Sequence, residues 1–248
     1  MTHLLTPWMR GMISNLRRWD FDSAQRVDYF VAISYNVADR IRKYYRREAD
    51  AVIYPPVETR MFTPAPAEEI GDHFLVVSRL VGYKRIDLAI EACNRLQAPL
   101  RIIGTGPERR ALRRLAGPTI QFLGRLPDAQ VAREYARCRA LIFPGEEDFG
   151  LTPVECMASG RPVVAYGRGG ALETVTPGRT GVFFEEQTPE AVMEALQAVS
   201  ALRVIPEELQ AEAFRFDTSV FAERITAFAA QALEDHRRLY QKHSCRPQ

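Results

Sequence analysis

The sequence has no Cys-x-x-Cys pair and no histidine cluster. Its four cysteines, Cys93, Cys138, Cys156 and Cys245, and its four histidines, His3, His73, His236 and His243, are scattered. No metal constellation follows from such spacing. Cys93, Cys138 and Cys156 fall within helical patterns, which suits small, reduced, buried residues of a cytoplasmic protein. No apolar run reaches the roughly 18 residues of a membrane-spanning helix. The N-terminus lacks the charged and apolar regions of a signal peptide. A formal net charge of only +2 declares no appetite for nucleic acid. Internal repeats and low-complexity segments are missing as well. What is there is ordinary globular composition, 46% hydrophobic and 26% charged over 248 residues. That is enough for one large domain or two small ones.

From Phe74 onward, short apolar runs alternate with helical patterns. Strands are expected at 74–77, 100–103, 120–123, 140–143, 162–165 and 181–184. Helices are expected at 85–96, 107–115, 128–137, 170–175 and 189–201, with a long closing helix from Asp217 to about Tyr240. This alternation predicts an α/β fold, a parallel sheet covered on both faces, doubly wound and Rossmann-like. Before it, Val27–Ile33 and 52–54 read as strands, and Ser34 caps a helix through Tyr45. A Pro/Ala/Glu-rich stretch at 64–71 reads as a linker.

Residues 140–160 read as strand, acidic loop and helix. The loop places three acids in a row, Glu146, Glu147 and Asp148, beside Phe149 and Gly150. Thr152 is placed to cap a helix with Pro153 at its first position and Glu155 at its third. A capping box accounts for Glu155 as well as a ligand role does. A charge run is usually a solvated loop. Yet three carboxylates and a Phe at the carboxyl end of a buried strand suit a docked group that is polar and uncharged, as sugar hydroxyls are. Upstream, Arg79 and Lys84 bracket a turn at another strand end. They form either an ordinary basic loop or a phosphate site, one cation as a planar fork and the other as a point charge. Gly104-Thr105-Gly106 before a helix is weak evidence, often only a tight turn.

The spacing of Glu147 and Glu155, with Phe149-Gly150 between them and Ala-Ser-Gly-Arg-Pro-Val-Val-Ala after them, resembles the Glu-x7-Glu signature of retaining glycosyltransferases of the GT-B fold, family four. The resemblance covers about residues 25–235 and includes Arg79-Leu80-Val81-x-x-Lys84 and Gly169-Gly170-x-x-Glu173. The phrase Val-Ile-Tyr-Pro-Pro-Val-Glu at 52–58 looks closest to mannosyltransferases of bacterial surface-polysaccharide assembly.

The resemblance implies a role for each matching residue. Glu155 accepts the ribose hydroxyls of a nucleoside-diphosphate sugar. Glu147, with the backbone amides of Phe149 and Gly150 and with Leu151 beside them, holds the transferred sugar. Arg79 and Lys84 neutralise the diphosphate as it leaves, so no metal and no cofactor beyond the donor substrate is expected. Gly104 and Gly106 lie against the nucleoside, and the backbone at Arg125 and Leu126 reads the base. The implied domains are 1–63, a remnant of an acceptor domain with its connection; 72–216, the donor domain; and 217–248, a helix crossing back. Most of a GT-B enzyme's N-terminal domain, or a partner subunit standing in for it, would then lie outside this chain.

The implied partners are a nucleotide sugar, GDP-mannose first, and a glycan or lipid-linked acceptor. Trp8, Met12, Leu16 and Trp19 recur at helical spacing near the N-terminus. They read either as the face of a helix packed on a partner or as peripheral contact with the cytoplasmic side of the inner membrane. Two further functions fit parts of the pattern: a non-catalytic donor-binding subunit of a split transferase, and a GT-B nucleotide-sugar epimerase. The Phe149-Gly150 context speaks against the epimerase.

Overall fold

The computed structural model describes residues 7–244. The chain divides into two compact units, one of residues 54–225 and one of residues 1–53 with 226–248.

The larger unit is built on a six-stranded, all-parallel sheet. Its strands are β3 (Phe74–Val77), β4 (Leu100–Ile103), β5 (Ile120–Gly124), β6 (Leu141–Phe143), β7 (Val163–Tyr166) and β8 (Gly181–Phe184), in the order β5-β4-β3-β6-β7-β8. The chain runs outward from β3 to one edge, returns, and runs outward from β6 to the other. This is the doubly wound, Rossmann-like order, and the expected α/β fold is the one found. The crevice between the carboxyl ends of β3 and β6 is its switch point, where open α/β sheets bind ligands.

The strands are mostly apolar because both faces are covered, with Arg101 in β4 and Gln121 in β5 as polar interruptions toward one edge of the sheet. Alternate residues serve opposite cores. Phe74, Val76, Leu100, Ile102, Ile142 and Val164 face one core with α3 (Ile86–Leu96), α4 (Arg109–Leu115) and α8 (Pro189–Ser200). Leu75, Ile103, Leu141, Phe143, Val163 and Ala165 face the other with α5 (Asp128–Arg137), α6 (Leu151–Ala158) and α9 (Pro206–Phe214). The helix α9 has no counterpart among the sequence expectations. It buries only Leu209 and Ala213, too thin an apolar stripe to be seen in the sequence. A short helix, α7 (Ala171–Thr174), follows β7.

Residues 54–63, which the resemblance assigns to the acceptor-domain remnant and its connection, and the linker read at 64–71 group by contact with the sheet unit. Val57 N–H donates to Phe216 O (2.9 Å), and Thr218 N–H donates to Val57 O (3.1 Å). Asp217 stands at the head of α10 (Thr218–Ser244) and accepts from Ser219 N–H (2.9 Å), Ser219 Oγ (2.6 Å) and Thr59 Oγ1 (2.5 Å). Burial pushes the Asp217 carboxyl upward. The hydrogen bonds from Ser219 and Thr59 outweigh burial and bring the pKa down to about 2.

The smaller unit holds α1 (Pro7–Ala24), β1 (Val31–Ala32), α2 (Tyr35–Tyr45), β2 (Ala51–Val52) and the end of α10. Ser34 caps α2 as expected, its Oγ accepting from Val37 N–H at 3.0 Å. The strand expected over Val27–Ile33 shrinks to the two residues of β1, because β2 offers only Ala51 and Val52 to pair with. Trp8, Met12, Leu16 and Trp19 line one exposed groove of α1. No helix among the described residues is long and apolar enough to cross a membrane. Cys93, Cys138 and Cys156 are buried free thiols, and burial holds the Cys93 thiol up at about 12. Cys245 and His3 lie outside the described residues.

Candidate functional site

The loops at the carboxyl ends of the strands are tied to one another by main-chain bonds. After β3, Leu80 N–H donates to Thr105 O (3.0 Å), and Leu80 O accepts from Glu108 N–H (3.1 Å). Gly104 N–H donates to Gly124 O at 2.7 Å, joining the turn after β4 to the end of β5. Gly104 itself has φ +129, and a Cβ there would overlap Ser78 O, so the Gly-Thr-Gly turn is a close approach to the neighbouring loop. After β6, Glu147 O accepts from Gly170 N–H (2.8 Å), which fastens the acidic loop to the glycine pair before α7. Pro144 O accepts from Gln187 Nε2 at 3.0 Å.

Within that frame the charged residues take different stations. Lys84 Nζ and Glu147 Oε1 form an ion pair across the β3/β6 crevice, with side chains 20% and 17% exposed. Glu147 Oε1 is buried, and the Lys84 ammonium is the group that faces it. Arg79 and Arg125 are exposed and make no ion pair among the described residues. Glu146 and Asp148 are exposed, as a solvated loop would have them.

Phe149, beside the three acids in sequence, turns inward. Its ring is 3% exposed and packs on Tyr54 (centroids 5.5 Å) and Phe216 (5.4 Å). The aromatic ring therefore anchors the acidic loop in the core. Leu126 also packs partly on the core, whereas Leu151 is exposed. Glu173 sits half-buried in α7.

The capping box expected at Thr152 does not form. The helix α6 begins at Leu151, with Gly150 as its N-cap at φ 90 and ψ 93, and no side chain caps it. Gly150 supplies a left-handed conformation that costs other residues strain, so the chain turns into the helix earlier than Thr152. Thr152 is thereby inside the helix, and Glu155 is released from any capping duty. The uncapped start leaves main-chain N–H donors beside the acidic loop.

Glu155 is instead held by a residue that sequence reading missed. Tyr135 of α5, fully buried, donates its hydroxyl to Glu155 Oε2 at 2.8 Å. No hydrogen bond among the described residues engages Oε1. Burial pushes the Glu155 carboxyl above its ordinary value; the Tyr135 hydrogen bond pulls it back, and nearby Asp128 adds to the rise. Tyr135 stays a protonated donor, its pKa driven up chiefly by burial and then by Glu155. In the sequence Tyr135 is one more apolar position of a helix, with no signal to separate it from its neighbours.

A parallel doubly wound sheet of this order, with acidic, basic and glycine-bearing loops at its carboxyl edge, is a fold shared with glycosyltransferases of the GT-B class. The chain belongs to the family described as glycosyl transferases group 1, whose model matches residues 61–215. Over 120 residues it is 36% identical to the GDP-mannose-dependent alpha-mannosyltransferase of Mycolicibacterium smegmatis, covering 48% of this chain and 32% of that protein. Over 168 residues it is 33% identical to a GDP-mannose-dependent monoacylated alpha-(1-6)-phosphatidylinositol monomannoside mannosyltransferase of Corynebacterium glutamicum, covering 56% and 44%. The sucrose-phosphate synthase of Thermosynechococcus elongatus superposes with a TM-score of 0.79 at 22% identity, covering 90% of this chain and 62% of that one. That likeness shows the fold. The chain spans about a third to a half of the length of the curated relatives it matches.

Proposed function

We propose that this chain carries the donor site of a retaining hexosyltransferase of family four. It takes a nucleoside-diphosphate sugar, GDP-mannose first, and serves a glycan or lipid-linked acceptor in cell-surface polysaccharide synthesis at the cytoplasmic face of the membrane. The observation that carries the reading is Glu155: a half-buried carboxylate, free of capping, fixed through one oxygen at the switch-point edge of the sheet. An ionised carboxylate there suits a vicinal diol, each charge-assisted bond contributing about 1.5–3 kcal/mol.

The remaining roles follow from position. Lys84 and Arg79 face the growing negative charge on the departing diphosphate, and such differential stabilisation lowers the barrier. Glu147 and the amides of Phe149, Gly150 and Leu151 hold the sugar. Gly104 and Gly106 bring main chain to the nucleoside, and the main chain at Arg125 and Leu126 meets the base. The two relatives named for GDP-mannose support the choice of donor. Donor binding with little transfer is the expected behaviour of the chain by itself, since acceptor recognition in GT-B enzymes belongs largely to the other domain.

The test is isothermal titration of the purified chain with GDP-mannose, UDP-glucose, GDP and UDP, beside Glu155→Ala. One nucleotide binds, and the variant weakens it at least about tenfold. Absence of binding by any of the four, or an unchanged affinity in the variant, overturns the reading.

A further inference from the structure

Tyr135 is fully buried on α5, and its ring stands edge-on to Phe62 at 6.0 Å within an otherwise apolar cluster. Phenylalanine would fill that space without burying a hydroxyl. A buried phenol is costly unless it is bonded. Here its partner is the carboxylate of Glu155, at 2.8 Å. The bond joins two elements that have no other reason to share a polar contact: α5, which follows β5, and α6, which follows β6.

An ionised carboxylate offers about four acceptor positions. Tyr135 fills one, on Oε2, and leaves enough for two hydroxyl donors from a ligand. It also removes rotational freedom from a side chain with several rotamers, so a ligand meets an acid already oriented.

We propose that Tyr135 is a positioning residue for the ribose of the donor, holding Glu155 in the orientation that accepts a vicinal diol and so setting the preference for ribonucleotides over 2′-deoxyribonucleotides. The inference rests on the reading of Glu155 given above. It adds the residue that makes that glutamate selective.

The test is the affinity of the full chain for GDP and UDP against their 2′-deoxy counterparts, measured by calorimetry for wild type, Tyr135→Phe, Glu155→Ala and the double variant. Tyr135→Phe lowers ribonucleotide affinity about tenfold and 2′-deoxy affinity by less, because only the 3′-hydroxyl contact to Glu155 is left to lose there, so the ratio falls. In the Glu155→Ala background the same change adds nothing, because the partner is gone. A purely structural role would weaken both ligands alike.

If Glu155→Ala retains the ribose preference, the reading of Glu155 falls. If Glu155→Ala abolishes it and Tyr135→Phe does not, the role of Tyr135 alone falls. Glu155→Asp is a second arm that leaves the buried core intact and serves if Tyr135→Phe does not fold. It keeps the charge but cannot reach Tyr135 and the ligand together, so it loses the preference. Full retention of the preference by Glu155→Asp overturns the proposal.

Discussion

The Lys84–Glu147 pair allows a two-part prediction. Both side chains are largely buried, at 20% and 17% exposed, so the pair is neither a surface bridge nor a fully dry one. Unit charges about 4 Å apart at an effective dielectric of about 20 attract by about 4 kcal/mol, most of it offset by desolvation. Lys84→Met leaves the buried Oε1 of Glu147 without its counter-charge and costs about 1–3 kcal/mol. For a unit of this size that lowers the melting temperature by roughly 2–4 °C per kcal/mol. Glu147→Gln costs less, because the freed lysine reaches water. The double variant is more stable than Lys84→Met alone.

The second part concerns binding. A diphosphate entering the crevice competes with Glu147 for Lys84. Under the proposed donor site, Glu147→Gln therefore raises the affinity for the free nucleoside diphosphate several-fold while removing the contact proposed for the sugar. Thermal melts and calorimetry on the four proteins of the cycle measure both effects. A Lys84→Met variant within about 0.5 kcal/mol of wild type would equate the pair with an exposed bridge and refute the reasoning.

Other expectations are equally direct. Thr152→Ala changes stability by less than about 0.5 kcal/mol in urea unfolding, against the roughly 1 kcal/mol that loss of a real N-cap costs. Gly150→Ala costs about 1–3 kcal/mol, because φ is +90 and the new Cβ would lie 2.8 Å from Phe143 Cζ. Phe149→Ala removes one ring of the trio with Tyr54 and Phe216 and costs about 3–5 kcal/mol by the same measurement. Asp217 has its folded pKa lowered from 3.8 to about 2, so its contribution is present above the unfolded value and lost as pH falls through the folded one. The stability difference between wild type and Asp217→Asn should shrink between about pH 4 and pH 2 in acid titrations followed by circular dichroism, and a difference that widens there would contradict the assigned bonds.

The sheet was legible because its strands announce themselves. Phe74–Val77 and Gly181–Phe184 are apolar runs closed by polar or turn residues, and Leu100–Ile103 is one broken only by Arg101; all three form with those bounds. The helix Asp128–Arg137 also forms with its expected bounds. The candidate loops were legible as following strands, and they do lie at strand ends. What stayed hidden depends on partners distant in sequence. Thr152 to Glu155 carries a sound local capping pattern, but a positive φ at Gly150 starts the helix before it. The ring of Phe149 looked stranded among acids until Tyr54 and Phe216 closed around it. The bond from Tyr135 to Glu155 crosses from one βα unit to the next, and no local pattern encodes it.

The mutual fastening of the loops has an evolutionary consequence. Because peptide groups at Leu80, Thr105, Gly104, Gly124, Glu147 and Gly170 hold the rim together, most side chains on that rim are relieved of architectural duty. Arg79, Arg125, Leu151 and Leu172 project from it and can be exchanged without disturbing their neighbours. A scaffold of this kind can change the substrate it prefers one residue at a time, each step leaving a folded protein for selection to act on.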